Sequence, residues 1–158
     1  MVYIGIGSNL GNRIANIEKA KYLLSLHGIN IINSSSYYET LSWPDPNKPK
    51  FINIVIQTNT KFSPEKFLNI FKFIEKKLGR KKNTRNSPRP CDIDIISYYK
   101  RIFKGKISIP HKRMHKRNFV LIPLFELNKN WIHPKSKNNI KNLIFSLPIN
   151  DITSIKQI

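Results

Sequence analysis

The order of periodic segments along the chain constrains its fold more than any other feature. Residues 51–58 place an isoleucine at every second position, which is typical of a strand with one buried face. Residues 13–27 and 64–78 carry apolar side chains at helical spacing, and Asn12 and Ser63 precede them as predicted N-caps. Further strands are predicted at 2–6, 29–38 and 91–98. The order β-α-β-β-α-β predicts an α+β, ferredoxin-like fold, an antiparallel sheet with helices on one side.

The connecting segments add further expectations. Residues 39–50 contain three prolines and predict an ordered loop of the kind that often serves as a lid. Residues 5–11 predict a tight turn after the first strand, in which Asn9 and Gly11 tolerate unusual φ angles. A short strand is also predicted at 107–109, and a helix around Pro123 at 118–127.

The length and composition suit one soluble domain. A chain of 158 residues is long enough to bury a sizeable core, and we expect a single compact domain over residues 1–158. No apolar run approaches the roughly 20 residues that cross a bilayer, and no basic leader precedes the apolar start. Cys91 is the single cysteine, which excludes an internal disulfide framework. We therefore expect a cytoplasmic monomer without a membrane partner.

The formal net charge of +19 is the strongest global feature, and a high positive charge is typical of nucleic-acid binders. However, 21 of the 28 basic residues are lysines, and they are scattered along the chain. Abundant lysine, asparagine and isoleucine are what A/T-rich codons impose on any protein. We interpret the charge as compositional bias and expect no specific nucleic-acid partner. A basic ferredoxin-like RNA-binding module is the alternative, although the aromatic signature of RNA-recognition domains is absent.

Two acidic residues lie one residue apart on a predicted strand. Asp92 and Asp94 are among only nine acids, and alternate strand positions point to the same face with Cα atoms about 6–7 Å apart. Paired carboxylates suit Mg²⁺, which typically binds one or two of them together with substrate phosphates. The preceding loop carries Arg80, Arg85 and Arg89, whose guanidinium groups suit phosphate binding. The segment predicts a site for a metal-bound polyphosphate, and a two-metal nuclease would use the same pair.

Six blocks of the sequence resemble the 6-hydroxymethyl-7,8-dihydropterin pyrophosphokinases of folate biosynthesis. They are GSNLGNR at 7–13, SSYYET at 35–40, FIN at 51–53, Glu75 with Gly79-Arg80, PRPCDIDI at 88–95, and the stretch 109–124. The blocks follow the family's order and spacing from residue 1 to about residue 127, so together they are far more specific than any one alone. The resemblance implies transfer of the β,γ-diphosphate of ATP to the hydroxymethyl group of 6-hydroxymethyl-7,8-dihydropterin, with release of AMP.

The resemblance also implies roles for individual residues. Asp92 and Asp94 would hold two Mg²⁺ ions that bridge the triphosphate and the substrate oxygen. Arg80 and Arg89 would act with them as catalytic residues, from loops whose closure excludes water. The ATP-binding set would be Lys72, Glu75, Arg80, Arg85, Arg89, Lys106, His111 and Arg117. The pterin-binding set would be Thr40, Phe51, Asn53 and Phe119, although plain core packing explains Phe119 equally well.

The sequence departs from the family pattern near the predicted site. Asn86-Ser87 stands where the family usually has Trp-Gly, which removes an aromatic cover from the site. Lys106 stands where arginine is common, which gives up a bidentate contact. These departures bear on rate and loop closure more than on the type of reaction.

Overall fold

The computed structural model of the chain describes residues 1–81, 86–105 and 107–158. In chain order its elements are β1 Val2–Ser8, α1 Arg13–Leu26, β2 Ile31–Ser34, β3 Tyr38–Thr40, β4 Phe51–Thr58, α2 Pro64–Lys77, β5 Asp92–Tyr98, a 3-10 turn at Met114–Lys116, α3 Asn118–Leu127, α4 Ile140–Phe145, α5 Ile149–Ser154 and β6 Lys156–Gln157. Both predicted N-caps are confirmed. The Asn12 side chain accepts a hydrogen bond from the backbone of Ala15 (3.1 Å), and the Ser63 side chain accepts one from Lys66 (3.3 Å).

The sheet is antiparallel throughout the described part of the chain. Its strand order is β5-β1-β4-β3-β6, and β2 pairs with another stretch of β4. The first strand therefore lies between β4 and β5, which is the arrangement that a β-α-β-β-α-β chain adopts when its two halves interleave. The predicted α+β fold, an antiparallel sheet with flanking helices, is confirmed.

Helices cover both faces of the sheet, so the expectation of helices on one side is wrong. The face that carries Ile4 and Ile54 is buried with the apolar residues of α1 and α2. The opposite face carries Tyr3 and Val55, which are also buried and pack with residues of α3 and α4. The central strands carry apolar residues on both faces of the sheet. An apolar face must be covered by another element, so both faces need helices. Much of this second cover lies after residue 127.

Two further predictions need local correction. Residues 29–38 form two strands rather than one, with a break at Ser35. The backbone N–H of Ser35 still donates to the Val55 carbonyl (2.9 Å), but the Ser35 hydroxyl, rather than its carbonyl, accepts from the backbone N–H of Val55 (3.0 Å). In the described residues around 107–109 there is no strand, because Ile109 forms only an isolated bridge with Phe103.

The turn after β1 joins two loops that border the site described below. It begins at Asn9, later than predicted, because β1 continues to Ser8. Gly11 has the expected positive φ, 67°, whereas Asn9 does not and instead uses its buried side chain for hydrogen bonds. The Asn9 amide donates to the carbonyl of Pro49 (3.1 Å) and accepts from the backbone N–H of Arg89 (2.7 Å). One side chain therefore ties the loop at 41–50 to the segment that leads into β5.

Replacing Asn9 by alanine is expected to lower the free energy of unfolding by about 1–3 kcal/mol, because the partly buried backbone N–H of Arg89 loses its acceptor and the contact with the Pro49 carbonyl is lost. Urea unfolding followed by circular dichroism measures this change. Asn12→Ala, which removes one exposed N-cap in the same turn, is the matched control and should cost about 1 kcal/mol. Tryptic cleavage after Lys50 in the native state should accelerate in Asn9→Ala alone. Equal stability and equal cleavage in the two variants would contradict the coupling.

Candidate active site

The floor of the site is a stretch of β1 in which the two residues that face the site are glycines. Gly5 and Gly7 occupy alternate positions on the same face of the strand, with Asp94 opposite Gly5 and Asp92 opposite Gly7. On the other side of β1, Gly7 is paired with Asn53 of β4. A Cβ atom at Gly7 would lie 2.7 Å from the Asn53 side-chain oxygen, which is closer than atoms can approach. The two glycines therefore leave a groove between the acids of β5 and the amide of β4.

A cavity of about 250 Å³ opens above this floor. Its walls come from β4, β5, the loop at 41–50 and the segment from residue 111 to α3. The structure brings most of the predicted site residues to it. Those that line the cavity are Thr40, Phe51, Asn53, Arg89, Asp92, Asp94, His111, Arg117 and Phe119.

Asp92 is held between two arginines. Arg80 contacts one carboxylate oxygen and Arg89 the other, each at 2.7 Å. Burial alone would raise the pKa of Asp92, but the charges of Arg89 and Arg80 outweigh it, so the pKa lies below its ordinary value. Arg80 also forms an ion pair with Glu75, and Glu75 accepts a hydrogen bond from the backbone of Ile93 (2.9 Å). This network fixes Arg80 and Glu75 behind Asp92, outside the residues that line the cavity.

Asp94 is compensated less fully, because the charges of Arg117, Arg89 and Arg80 lower its pKa but do not outweigh burial and the charge of Asp92. Within the described chain its carboxylate forms no hydrogen bond and no ion pair, although it lines the cavity. Burial raises the pKa of Asp94 to about 6, and the neighbouring charge of Asp92 acts in the same direction. A carboxylate without a direct ion pair, beside a second carboxylate, is a donor set that suits a hard cation such as Mg²⁺. The described residues contain no cluster of three or more acidic, histidine or cysteine ligands, so other ligands would come from phosphate or water.

His111 is a neutral hydrogen-bond donor in this setting. Burial lowers its pKa to about 4, and the charges of Arg117 and Arg113 add to the effect. Its Nδ1 accepts a hydrogen bond from the backbone N–H of Arg113 (3.2 Å). The proton of the neutral ring therefore resides on Nε2, where it is available to an acceptor such as a phosphate oxygen.

The far side of the cavity combines aromatic and amide groups. The Asn53 side-chain amide donates to the Thr40 hydroxyl (3.0 Å), and both residues are buried. The ring of Phe51 lies 5.2 Å from the guanidinium of Arg89, and Phe119 forms part of the opposite wall. A flat heterocycle could stack on these rings and form hydrogen bonds with the amide at its edge. Phe119 also packs against the second core. It is therefore both a wall of the cavity and a core residue.

The remaining predicted residues lie elsewhere. Lys72 is on the exposed surface of α2 and does not line the cavity. Arg85 and Lys106 lie outside the described residues. Asn86 does line the cavity, with a positive φ of 62°, and its carbonyl accepts a hydrogen bond from Lys48 (2.8 Å).

Sequence reasoning missed Trp43 and Arg113, both of which line the cavity. The loop at 39–50 was predicted to be a lid, and an aromatic residue inside it was the available signal for Trp43. The signal for Arg113 was its position between His111 and Arg117, in a segment already assigned to the site. The missing Trp-Gly pair at 86–87 therefore does not leave this cavity without a tryptophan, since Trp43 approaches from the other loop.

The pKa values of Asp92 and Asp94 are shifted in opposite directions, which predicts opposite effects on stability when each carboxylate is replaced by an amide. Asp94→Asn is expected to raise the free energy of unfolding of the ligand-free protein by about 1–3 kcal/mol above pH 6, since the amide removes a charge that is costly to bury. Because the unfolded pKa, 3.8, lies below the folded one, this gain should vanish as pH falls below about 4. Chemical denaturation in EDTA between pH 4 and 8 measures it.

Asp92→Asn is the matched control for that prediction. The pKa of Asp92 is lowered on folding, so its charge stabilises the protein at neutral pH and the amide should be destabilising there. Effects of the same sign for both variants at pH 7 would contradict the uneven compensation.

The chain is similar to one family of known proteins. Residues 3–129 match the family described as 7,8-dihydro-6-hydroxymethylpterin-pyrophosphokinase. A pyrophosphokinase of Aquifex aeolicus, named for 2-amino-4-hydroxy-6-hydroxymethyldihydropteridine, is 37% identical over 89% of this chain and 88% of its own length. The protein of the same name from Haemophilus influenzae is 33% identical over 85% of this chain and 86% of its own length.

Other relatives are much longer. A folate synthesis bifunctional protein of Arabidopsis thaliana is 43% identical over 80% of this chain, but the chain spans only 26% of that protein. A Plasmodium falciparum HPPK-DHPS structure with pterin and p-hydroxybenzoate has a TM-score of 0.75 and 15% identity, covering 99% of this chain and 46% of its own. The structural likeness supports the fold. The match over residues 3–129, with relatives of similar length at 37% and 33% identity, shows that the chain belongs to the 7,8-dihydro-6-hydroxymethylpterin-pyrophosphokinase family.

Proposed function

We propose that the protein transfers the β,γ-diphosphate of ATP to the hydroxymethyl group of 6-hydroxymethyl-7,8-dihydropterin, releasing AMP, in folate biosynthesis. The observation that carries the proposal is the groove above Gly5 and Gly7. It places a carboxylate pair on one side and an aromatic and amide pocket on the other. Such a groove can align a metal-bound polyphosphate with a flat alcohol, and positioning of this kind is most of what phosphoryl transfer requires.

The pterin would occupy the side of the cavity formed by β4. Phe51 and Phe119 would contact the faces of the ring system, while Asn53 and Thr40 would read its polar edge. The Asn53–Thr40 hydrogen bond fixes the orientation of the amide before a ligand arrives. A pre-oriented amide favours a ligand with the matching pattern of donors and acceptors, because a mismatched one would leave buried polar groups unpaired.

The phosphates would lie on the side formed by β5. Arg89 lines the cavity. Arg80 does not line it but forms an ion pair with Asp92, which does. Both arginines now use their N–H groups on Asp92, and a phosphate chain offers oxygen acceptors of the same geometry. The neutral Nε2–H of His111 and the guanidinium of Arg117 would add further donors. Lys72, Glu75, Arg85 and Lys106 stay in the proposed ATP-binding set by family resemblance.

Asp92 and Asp94 would hold magnesium, and two ions are part of the proposal. When bound, the metal would neutralise phosphate charge and orient the reacting oxygens. The raised pKa of Asp94 supports this role, because a nearby cation would stabilise the charged form that burial now disfavours. The chain's own contribution is to hold these two carboxylates on one strand face beside the arginines.

We further propose that residues 1–158 act as one cytoplasmic, monomeric domain whose partners are ATP and the pterin. The helices of the described residues include none long and apolar enough to span a membrane. Family membership favours the kinase over an RNA-binding module or a two-metal nuclease, and no specific nucleic-acid partner is proposed.

An AMP-release assay with ATP, Mg²⁺ and 6-hydroxymethyl-7,8-dihydropterin tests the proposal directly. Asp92→Ala and Asp94→Ala should each lower kcat by about a thousandfold or more, because each removes a carboxylate that holds the metal. Glu65→Ala removes the same charge from the exposed start of α2 and should retain activity. Absence of pterin-dependent AMP release from the wild-type protein would reject the proposal, and full activity in either aspartate variant would reject its metal role.

Gly7→Ala should raise KM for the pterin by about tenfold, since the new Cβ displaces the Asn53 amide and one well-placed hydrogen bond is worth about 1 kcal/mol or more. Gly5→Ala is the matched control. Its Cβ would meet only the flexible tip of Ile96, at 3.2 Å, so the effect on pterin KM should be much smaller. Steady-state kinetics with each substrate varied separately provides the measurement. Equal pterin KM values for the two variants would show that Asn53 does not read the pterin edge.

A further inference from the structure

Trp43 has no role in the proposed function, yet it stands at the mouth of the cavity. It is 51% exposed, so its ring is accessible to groups at the mouth of the cavity. The guanidinium carbon of Arg113 lies 4.8 Å from the centre of its ring, and that of Arg117 lies 5.7 Å away. Both distances are within the range of cation–π attraction. Trp43 is therefore a shared platform for two arginines.

Neither arginine forms an ion pair in the part of the chain that the structure describes, although the charge of Asp94 acts on Arg117. The six ion pairs found there involve other arginines and lysines. The Nε of Arg117 is buried without a hydrogen-bond partner, and the same guanidinium lies 5.3 Å from the ring of Phe119. A guanidinium stacked on a ring keeps the N–H groups at its edge free, and these match a phosphate in a bidentate contact. The unused donors of Arg113 and Arg117 thus suit an anion.

Holding two like charges together in a partly buried place is electrostatically unfavourable. Burial lowers the pKa of Arg117, and the charge of Arg113 adds to that effect, although Asp94 opposes it. The indole face attracts both guanidinium groups and limits the conformations of two long, flexible side chains. Pre-ordered side chains lose less entropy when a ligand binds, so the platform would improve affinity without touching the ligand itself.

We propose that Trp43 is a positioning residue that holds Arg113 and Arg117 as a clamp for the phosphate chain of the nucleotide. The proposal rests on the proposed function for the identity of the anion, but the clamp itself takes any chain of linked phosphates. Because Trp43 belongs to the loop at 41–50, the proposal also makes the clamp depend on the position of that loop. That loop is held in place by the Ser42 hydroxyl, which donates to the Pro49 carbonyl (2.6 Å). All three clamp residues line the wall between the cavity and a neighbouring cleft of about 450 Å³.

A double-mutant cycle tests whether Trp43 acts through Arg113. Calorimetry would measure the affinity of Mg²⁺-loaded α,β-methylene ATP for the wild-type protein, Trp43→Ala, Arg113→Ala and the double variant. We expect each single variant to bind about tenfold more weakly. Trp43→Ala loses both cation–π contacts and the ordering of the arginines, and Arg113→Ala loses one of those contacts together with its own donors. The double variant should bind no more than about threefold more weakly than either single one, because both changes remove the same interaction.

Matched variants separate positioning from a general structural effect. Trp43→Phe should restore most of the affinity, since a phenyl ring also attracts a guanidinium. Phe145→Ala, at an aromatic residue 81% exposed on α4, should leave the affinity unchanged. Additive losses in the cycle, or nucleotide affinity of Trp43→Ala within twofold of wild type, would overturn the proposal. So would a Trp43→Ala effect confined to the pterin, because Trp43 would then be only a wall of the pterin pocket.

Inorganic triphosphate is a second probe that needs no turnover. The chain has two tryptophans, and Trp131 is buried in the second core, so Trp131→Phe leaves Trp43 as the reporter of fluorescence. Triphosphate should change this emission in the Trp131→Phe background, and Arg113→Ala should weaken the change. Should Trp131→Phe fail to fold, the calorimetric cycle repeated with triphosphate replaces it. If the protein binds triphosphate with this coupling but releases no AMP, the clamp stands and the proposed function fails. If the protein releases AMP but triphosphate binding shows no coupling between Trp43 and Arg113, the proposed function stands and the clamp fails.

Discussion

The site depends on the absence of side chains at two positions of the central strand. Gly5 and Gly7 lie opposite the carboxylates of β5, and a side chain at Gly7 would displace the Asn53 amide of β4. The other face of the same strand has large apolar residues in the core. One strand thus uses its two faces for different purposes, because alternate residues point in opposite directions. The core therefore supports the strand that forms the floor of the groove.

The charges around the groove are unequal in a way that favours one kind of ligand. Asp92 forms ion pairs with Arg80 and Arg89, whereas Asp94 forms none among the described residues and its pKa is raised. Within the described residues, Asp94 on one side and Arg113 and Arg117 on the other therefore carry charges that no direct ion pair neutralises. A metal-bound phosphate chain would meet both needs at once, with the cation near the carboxylate and the phosphates near the arginines. A simple anion or a simple cation would satisfy only one of them.

Sequence reasoning predicted the parts of this arrangement that depend on local periodicity. Alternation placed Asp92 and Asp94 on one face of β5, and Phe51 and Asn53 on one face of β4, because side-chain direction follows from position along a strand. It also predicted a tight turn at 5–11, where the structure has a strand through Ser8. Glycine is common in turns and rare inside strands, so only the pairing partners of β1 reveal its purpose there. The stacking of Trp43 on Arg113 joins residues 70 positions apart, and no local pattern predicts such a contact.

These long-range contacts explain how separate segments become one site. Asn9 fixes the loop at 41–50 to the segment before β5, and Trp43 extends from that same loop to the arginines before α3. The walls of the cavity are thus connected through single side chains rather than through the sheet alone. A displacement of the loop would disturb the phosphate side and the pterin side together, since Leu41 and Trp43 line the cavity beside Thr40. Binding at either side would then favour the loop position that serves the other, and such coupling between two ligands is necessarily reciprocal.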